Sequence, residues 1–204
     1  LTRARTVMGD DAAPHLWNRI MANPPKVAVI IGSIRKDSYN KKLARAIGKL
    51  AGDRLAFEHV RIDDLPLYTQ EFDGDYPAVC QRLKKDIESS DAVLIVTPEY
   101  NRSIPGVLKN AIDIASRPWG TNSFAGKPAA VIGASIGAQG TAMAQAHVDN
   151  VMLYLETRLM GQPEVYLKVG DDTFDVDGGI ANADTAKFLG KFVDAFVAWL
   201  ARGA

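Results

Sequence analysis

Gly32 to Asn40, read as Gly-Ser-Ile-Arg-Lys-Asp-Ser-Tyr-Asn, gathers a glycine, two serine hydroxyls, a guanidinium and an amide in one short stretch. That set suits a phosphate dianion. Gly32 lets the chain turn, backbone N–H groups at a helix start point at the anion, and Ser33, Arg35, Ser38 and Asn40 add further donors. A second polar stretch, Thr97 to Gly106, places Glu99, Tyr100, Asn101, Arg102 and Ser103 between Pro98 and Pro105. The prolines stiffen a backbone whose donors and acceptors suit the edge of a flat heterocycle. A third stretch has glycines at 133, 137 and 140, around Ser135, and would let the main chain approach such a ring closely.

Other chemistries are disfavoured by what these stretches lack. The first has neither the Gly-Lys-Ser/Thr ending of a nucleoside-triphosphate loop nor the Gly-x-Gly-x-x-Gly of a dinucleotide fingerprint. A terminal monophosphate, held without a metal, remains. No Ser-His-Asp, Cys-His or paired-carboxylate pattern emerges, which suits a reaction whose chemistry a bound redox cofactor carries. Glu99 is read as solvated or bonded within its own loop, not as a proton-transfer group. Cys80 falls in a helical pattern as a small, partly buried side chain, and His15, His59 and His147 show no metal-ligand spacing.

The whole chain points the same way. Lys+Arg and Asp+Glu both total 24, so no net field favours nucleic acid. A single cysteine permits no internal disulfide and fits a cytoplasmic protein. No apolar run approaches the roughly 18 residues of a membrane span. Residues 1–24 carry scattered charges without an apolar signal core and read as an N-terminal extension, with Met8 and Met21 as candidate natural starts. Residues 25–204 read as one domain.

The three polar stretches need elements to position them. The first follows an apolar run, Val27 to Ile31, in a strand from about Lys26, and precedes a helical stripe at Leu43, Ala46, Ile47 and Leu50 that closes near Gly52. Leu55 to Ile62 reads as a second strand. Pro66 to Pro77 reads as an ordered loop, and Val79, Leu83 and Ile87 as a second helix. Ala92 to Val96 is apolar throughout, as a central parallel strand covered on both faces should be, and it runs into the second polar stretch. Pro105 then opens a helix striped by Leu108, Ala111, Ile112 and Ala115. Pro128 to Ile132 is a fourth strand, followed by the glycine loop and a long helix to about Met160. Val165 to Val169 is a fifth strand, Gly170 to Gly179 an acidic turn region, and Phe188, Phe192, Phe196 and Leu200 the stripe of a closing helix.

Five strands alternating with helices predict a doubly wound α/β fold, a five-stranded parallel sheet in the flavodoxin-like order 2-1-3-4-5 with helices on both faces. In that order FMN lies at the carboxyl ends of strands one and three, the strands that the first two polar loops follow.

Gly-Ser-x-Arg-x-x-Ser-x-Asn at 32–40 and Pro-Glu-Tyr-Asn-x-Ser-Ile-Pro-Gly at 98–106 together resemble the NADPH-dependent FMN reductase family, and within it the bacterial soluble quinone and chromate reductases. The resemblance runs from about Lys26 to the C-terminus. It implies bound FMN, NADPH or NADH as hydride donor, and quinones, flavins or oxyanions such as chromate as acceptors in a ping-pong reaction. It also implies a homodimer or homotetramer. Ser33, Arg35, Ser38 and Asn40 match its phosphate positions, and Pro98, Glu99, Tyr100 and Asn101 its isoalloxazine loop. Ser116, Ser135, Gly137 and Gly140 match further positions near the flavin. Relatives vary at Arg102, which the sequence alone suggests as a substrate-binding charge beside the ring. The alternative on the same fold is a flavodoxin-type electron carrier without reductase activity. Carriers of that type are acidic and have few basic residues in the phosphate loop, unlike this neutral chain with Arg35. An FMN-free interaction module is a third reading, which a flavin spectrum would separate from both.

The helix after the third loop suggests self-association independently. Val148, Val151, Met152, Leu155 and Leu159 supply its core stripe, while Leu153, Tyr154 and Met160 add apolar surface on other faces.

Overall fold

The structure, a computed structural model, describes residues 23–202. Most of the expected N-terminal extension therefore lies outside the described residues. The chain runs through β1 (Lys26–Ile31), α1 (Tyr39–Ala51), β2 (Ala56–Val60), α2 (Ala78–Glu88) and β3 (Ala92–Val96). It continues through α3 (Gly106–Ala115), β4 (Pro128–Ser135), α4 (Ala142–Tyr154), β5 (Arg158–Leu159), β6 (Tyr166–Lys168) and α5 (Ala183–Ala201). All pairings in the sheet are parallel, in the order β2-β1-β3-β4-β5, with β6 also on β4.

Each central strand buries both faces, and the two-residue period assigns alternate side chains to opposite layers. Val27, Val29, Leu94, Val96, Ala130 and Ile132 meet α1 and α5, through Leu43, Ile47, Phe192 and Phe196. Ala28, Ile30, Val93, Ile95 and Ala129 meet α2, α3 and α4, through Leu83, Ile87, Leu108, Ile112 and Val148. Cys80 is fully buried in this second layer, and burial pushes its thiol up, so it is packing.

Two boundaries differ from the expectation. The helix before β5 stops at Tyr154 and not near Met160, because Glu156 adopts φ 60° and Thr157 N–H donates back to Met152 O at 3.1 Å. That is a left-handed helix stop, usually made by glycine. The fifth sheet position is filled twice: β5 pairs with Pro128 and Ala129, and β6 with Gly133 to Ser135. Between them Pro163 has no N–H to donate to a ladder, and the strand is interrupted there.

The Pro66–Pro77 loop is ordered, as expected, by ties to α3. Asn110 accepts from Tyr68 N at 2.9 Å and donates to Pro66 O at 2.9 Å, and Tyr76 OH donates to Ile114 O at 2.6 Å.

Candidate functional site

Register brings the ends of β1, β3 and β4 into line. Ile31 pairs with Val96 and Val96 with Ile132, so Gly32, Thr97 and Gly133 stand abreast where the three polar loops begin. These positions are tightly packed. A Cβ on Gly133 would fall 2.2 Å from Thr97 O and 2.1 Å from Thr141 Oγ1, and one on Gly32 would fall 3.0 Å from Leu108 Cδ2.

Ser38 is the N-cap of α1, its Oγ accepting from Asn40 N at 3.2 Å and Lys41 N at 3.4 Å. Accepting twice leaves its own proton to donate outward. The first turn of α1 carries no acid, so the positive end of the helix dipole stays open to an anion. Ser33 is buried beside it. Among the described residues the backbone N–H groups of Ile34 to Asp37 find no protein acceptor. Arg35 is exposed, donates to Asp37 O and lies 5.4 Å from the Tyr39 ring, arched over the loop. Hydroxyls, open amides, a helix start and a guanidinium thus converge, and this donor set fits the phosphate of FMN.

Asn40 has a different place from its neighbours. Its buried side chain donates to Ala134 O and accepts from Ala134 N, both at 2.9 Å, binding α1 to β4. One Nδ2–H and one lone pair of Oδ1 are engaged there, so Asn40 sets the spacing of the first and third loops and keeps a second N–H to donate.

In the second loop Tyr100 and Ser103 exchange backbone hydrogen bonds at 3.1 and 3.0 Å, with Asn101 at φ 51° and Arg102 at φ 60°. This is a two-residue turn with both central residues left-handed. Asn tolerates that conformation, whereas Arg102 is strained by about 1 kcal/mol. Tyr100, Asn101 and Arg102 are exposed on it. Ser103 Oγ lies 2.9 Å from His147 Nδ1 on α4.

Glu99 is half-buried, and it bonds to a helix outside its own loop. Its Oε2 accepts from Met143 N at 3.0 Å and Ala144 N at 3.1 Å, capping α4, whose N-cap Thr141 makes no side-chain cap bond. A carboxylate at a helix start contributes about 1 kcal/mol, and here it ties the second loop to the helix that follows the third.

The third loop holds itself. Ser135 Oγ accepts from Gly137 N at 3.1 Å, and Gly140, at φ 59°, would meet Tyr166 C at 2.7 Å if it carried a Cβ. Gly140 thus serves the approach of β6, and Gly137 is exposed at the loop.

Ser116 stands apart from the three loops. It terminates α3, which runs back from the second loop for about 15 Å at 1.5 Å per residue. Its Oγ donates to Asp113 O, and its neighbour Ala115 O accepts from Ser123 N. It therefore lies at the amino edge of the sheet, opposite the three loops. Sequence reasoning also missed the Glu99 cap and the Ser103–His147 pair, whose partners lie 44 residues or more apart.

A parallel sheet in this order, with an open donor-rich loop after β1 and polar loops after β3 and β4, defines a flavodoxin-like protein, the class in which FMN is held at these strand ends. The fold is shared with a flavodoxin from Pseudomonas aeruginosa, solved as a point mutant, which superposes with a TM-score of 0.53 over 84% of this chain and 98% of its own, at 21% identity. The family model for NADPH-dependent FMN reductase matches residues 25–172, and the chain belongs to that family. It is an oxidoreductase with FMN as cofactor and NAD(P)H as co-substrate.

A 2-hydroxy-1,4-benzoquinone reductase from a Burkholderia species is 51% identical over 86% of this chain and 96% of its own length. A quinone reductase from Pseudomonas putida is 46% identical over 88% of this chain and 97% of its own. Among solved structures, the flavoenzyme NAD(P)H:(acceptor) oxidoreductase FerB from Paracoccus denitrificans superposes with a TM-score of 0.85 at 51% identity. That match covers 88% of this chain and 98% of FerB.

Proposed function

We propose that this chain is an FMN-dependent NAD(P)H oxidoreductase whose acceptors are quinones, with free flavins and oxyanions such as chromate as further acceptors. The observation that carries this is the open anion cradle of Ser33, Arg35, Ser38 and the start of α1, set beside the strained Tyr100–Ser103 turn. Held by these residues, FMN would supply the redox chemistry, two-electron transfer between nicotinamide and acceptor in separate half-reactions. Residues 25–204 form the FMN-binding domain, in the cytoplasm. Among the described residues no helix is long and apolar enough to cross a membrane.

The protein's own groups bind and orient. Ser33, Arg35 and Ser38 hold the phosphate, the backbone of Pro98 to Asn101 borders the ring, and Ser135 and Gly137 approach it from β4. Glu99 and Asn40 fix the spacing of these loops. The test is a flavin absorbance spectrum for the purified protein, followed by NADH and NADPH oxidation with a quinone. A colourless protein, or a yellow one that oxidises neither donor, would overturn the proposal.

Arg35→Ala is expected to weaken FMN binding about tenfold, or about 1.4 kcal/mol, while leaving the fold intact, because the hydroxyls and open amides remain. Flavin titration of the apoprotein measures this, and unchanged affinity would remove Arg35 from the phosphate site.

Arg102 is held outward by its turn, and no salt bridge to it forms among the described residues. Its charge attracts anions to the acceptor side of the site. Arg102→Ala should raise KM for an anionic acceptor on the order of tenfold and leave a neutral quinone within about twofold, with FMN content unchanged. Equal kinetics for both acceptors would contradict the role.

Leu153 and Tyr154 on α4 are 63% and 71% exposed, and Trp119 is 74% exposed. Covering such side chains favours self-association. Light scattering at micromolar concentration is expected to give a dimeric or tetrameric mass, and a monomer would reject the idea.

A further inference from the structure

A cavity of about 360 Å³ opens at the carboxyl end of β2, on the side of β1 away from β3. Ser33 and Ile34 of the phosphate loop form one wall, so it adjoins the site already described. The rest divides by chemistry. Ile31, Ile34, Val60 and Ile62 are apolar, while Lys41, Arg45, His59 and Arg61 face one carboxylate, Asp63.

The charges do not cancel. Asp63 is taken by Arg61, whose Nε donates to it at 2.7 Å, and Arg61 also reaches Asp64 at 3.5 Å. Lys41 and Arg45 make no salt bridge among the described residues. They lie four apart on α1 and so share one face of the helix. His59 is exposed at the end of β2, and desolvation and the charge of Arg45 hold its imidazole below its ordinary value, which favours the neutral ring that both donates and accepts hydrogen bonds.

Arg45 is positioned as well as unpaired. Gly178, at φ 78°, packs against its stem so closely that a Cβ there would lie 3.0 Å from Arg45 Cδ. Lys49, one turn further along α1, donates to Asp177 O of the same loop. The segment between β6 and α5 therefore seats Arg45 at the mouth of the cavity.

An apolar wall beside two cations outside any salt bridge among the described residues, and an imidazole, suits a ligand with a flat base, a ribose and a phosphate monoester. We infer that this cavity takes the phosphorylated adenosine end of the NADPH donor, with Arg45 and Lys41 on the 2′-phosphate. β2 and β3 are separated by two strand spacings, about 10 Å, so the cavity stands beside the β3 loop at a distance a dinucleotide bridges. The inference rests on the proposed NAD(P)H-dependent function and adds that the enzyme distinguishes NADPH from NADH at β2.

The test uses FMN-loaded protein and calorimetric titration with 2′,5′-ADP, 5′-ADP and inorganic phosphate, read alongside KM for each donor. Arg45→Ala should weaken 2′,5′-ADP about tenfold and 5′-ADP less than twofold. KM for NADPH should rise by a similar factor while KM for NADH and FMN content stay the same, and Arg45→Lys should restore most of the loss. Unchanged 2′,5′-ADP affinity in Arg45→Ala, an equal loss for both nucleotides, or inorganic phosphate binding as tightly as 2′,5′-ADP would overturn the inference. Because the titration needs no turnover, a wild-type protein that oxidises neither donor would instead count against the proposed function.

Discussion

Asn40→Ala is expected to destabilise the protein by about 3 kcal/mol and to weaken FMN retention with it. The wild-type amide makes two 2.9 Å hydrogen bonds to the backbone of Ala134, and both residues are buried. Each bond contributes about 1 kcal/mol net, but deletion also strands a buried N–H and a buried C=O, at about 1–3 kcal/mol each when water does not reach them. Partial relaxation brings the sum to the value above. For a domain of this size the melting temperature should fall by roughly 6–12 °C. Asn40→Asp separates the two bonds, since a carboxylate still accepts from Ala134 N but repels Ala134 O. Thermal and urea unfolding of apoprotein measure the structural part, and flavin titration measures the consequence for the site. A melting temperature within about 1 °C of wild type would show that α1 and β4 do not depend on this clamp.

Gly133→Ala should be as costly for a different reason. The added methyl would stand 2.2 Å from Thr97 O and 2.1 Å from Thr141 Oγ1. Thr141 is a side chain and can turn, at the cost of its 2.7 Å bond from Gln145 Nε2. Thr97 O belongs to the backbone, so relief there requires moving the second loop. Overpacking of this kind costs about 1–3 kcal/mol and occasionally more, and the upper end applies where backbone must shift. The displaced segment carries Pro98 and Glu99, so the cap on α4 loosens too. We expect a loss of about 3 kcal/mol in urea unfolding and a protein that purifies largely free of flavin. Gly137→Ala serves as the control for the unfolding measurement alone, because a Cβ there meets Ser135 Oγ only at 3.5 Å. If both variants unfold like wild type, the close approach at Gly133 is not a constraint on the site.

The general plan of the molecule was legible in its sequence because it rests on local pattern. Val27 to Ile31 and Ala92 to Val96 are apolar without interruption, which only a sheet covered on both faces buries, and the helical stripes supply the covering layers. The polar loops announced themselves by residue type, and Ser38 sits in its sequence as a helix cap should. The helix stop at Glu156 had no such sign, since a left-handed residue there is normally glycine.

What each polar side chain does was decided by tertiary structure, because its partner comes from a distant part of the chain. Asn40 reads in sequence as a phosphate donor, and its bonds to Ala134, 94 residues away, which tie α1 to β4, appear only in the fold. Glu99 looked solvated, and α4 takes its carboxylate. Ser116 looked close to the site by motif, yet the length and direction of α3 carry it to the other end of the sheet. The unpaired charges of Lys41 and Arg45 count as a site only once β2 stands beside α1 and Asp63 is taken up by Arg61. Sequence pattern determines which faces are buried, because burial depends on side-chain type and period alone. Which donor meets which acceptor depends on distances across the sheet, and those exist only when the layers have packed.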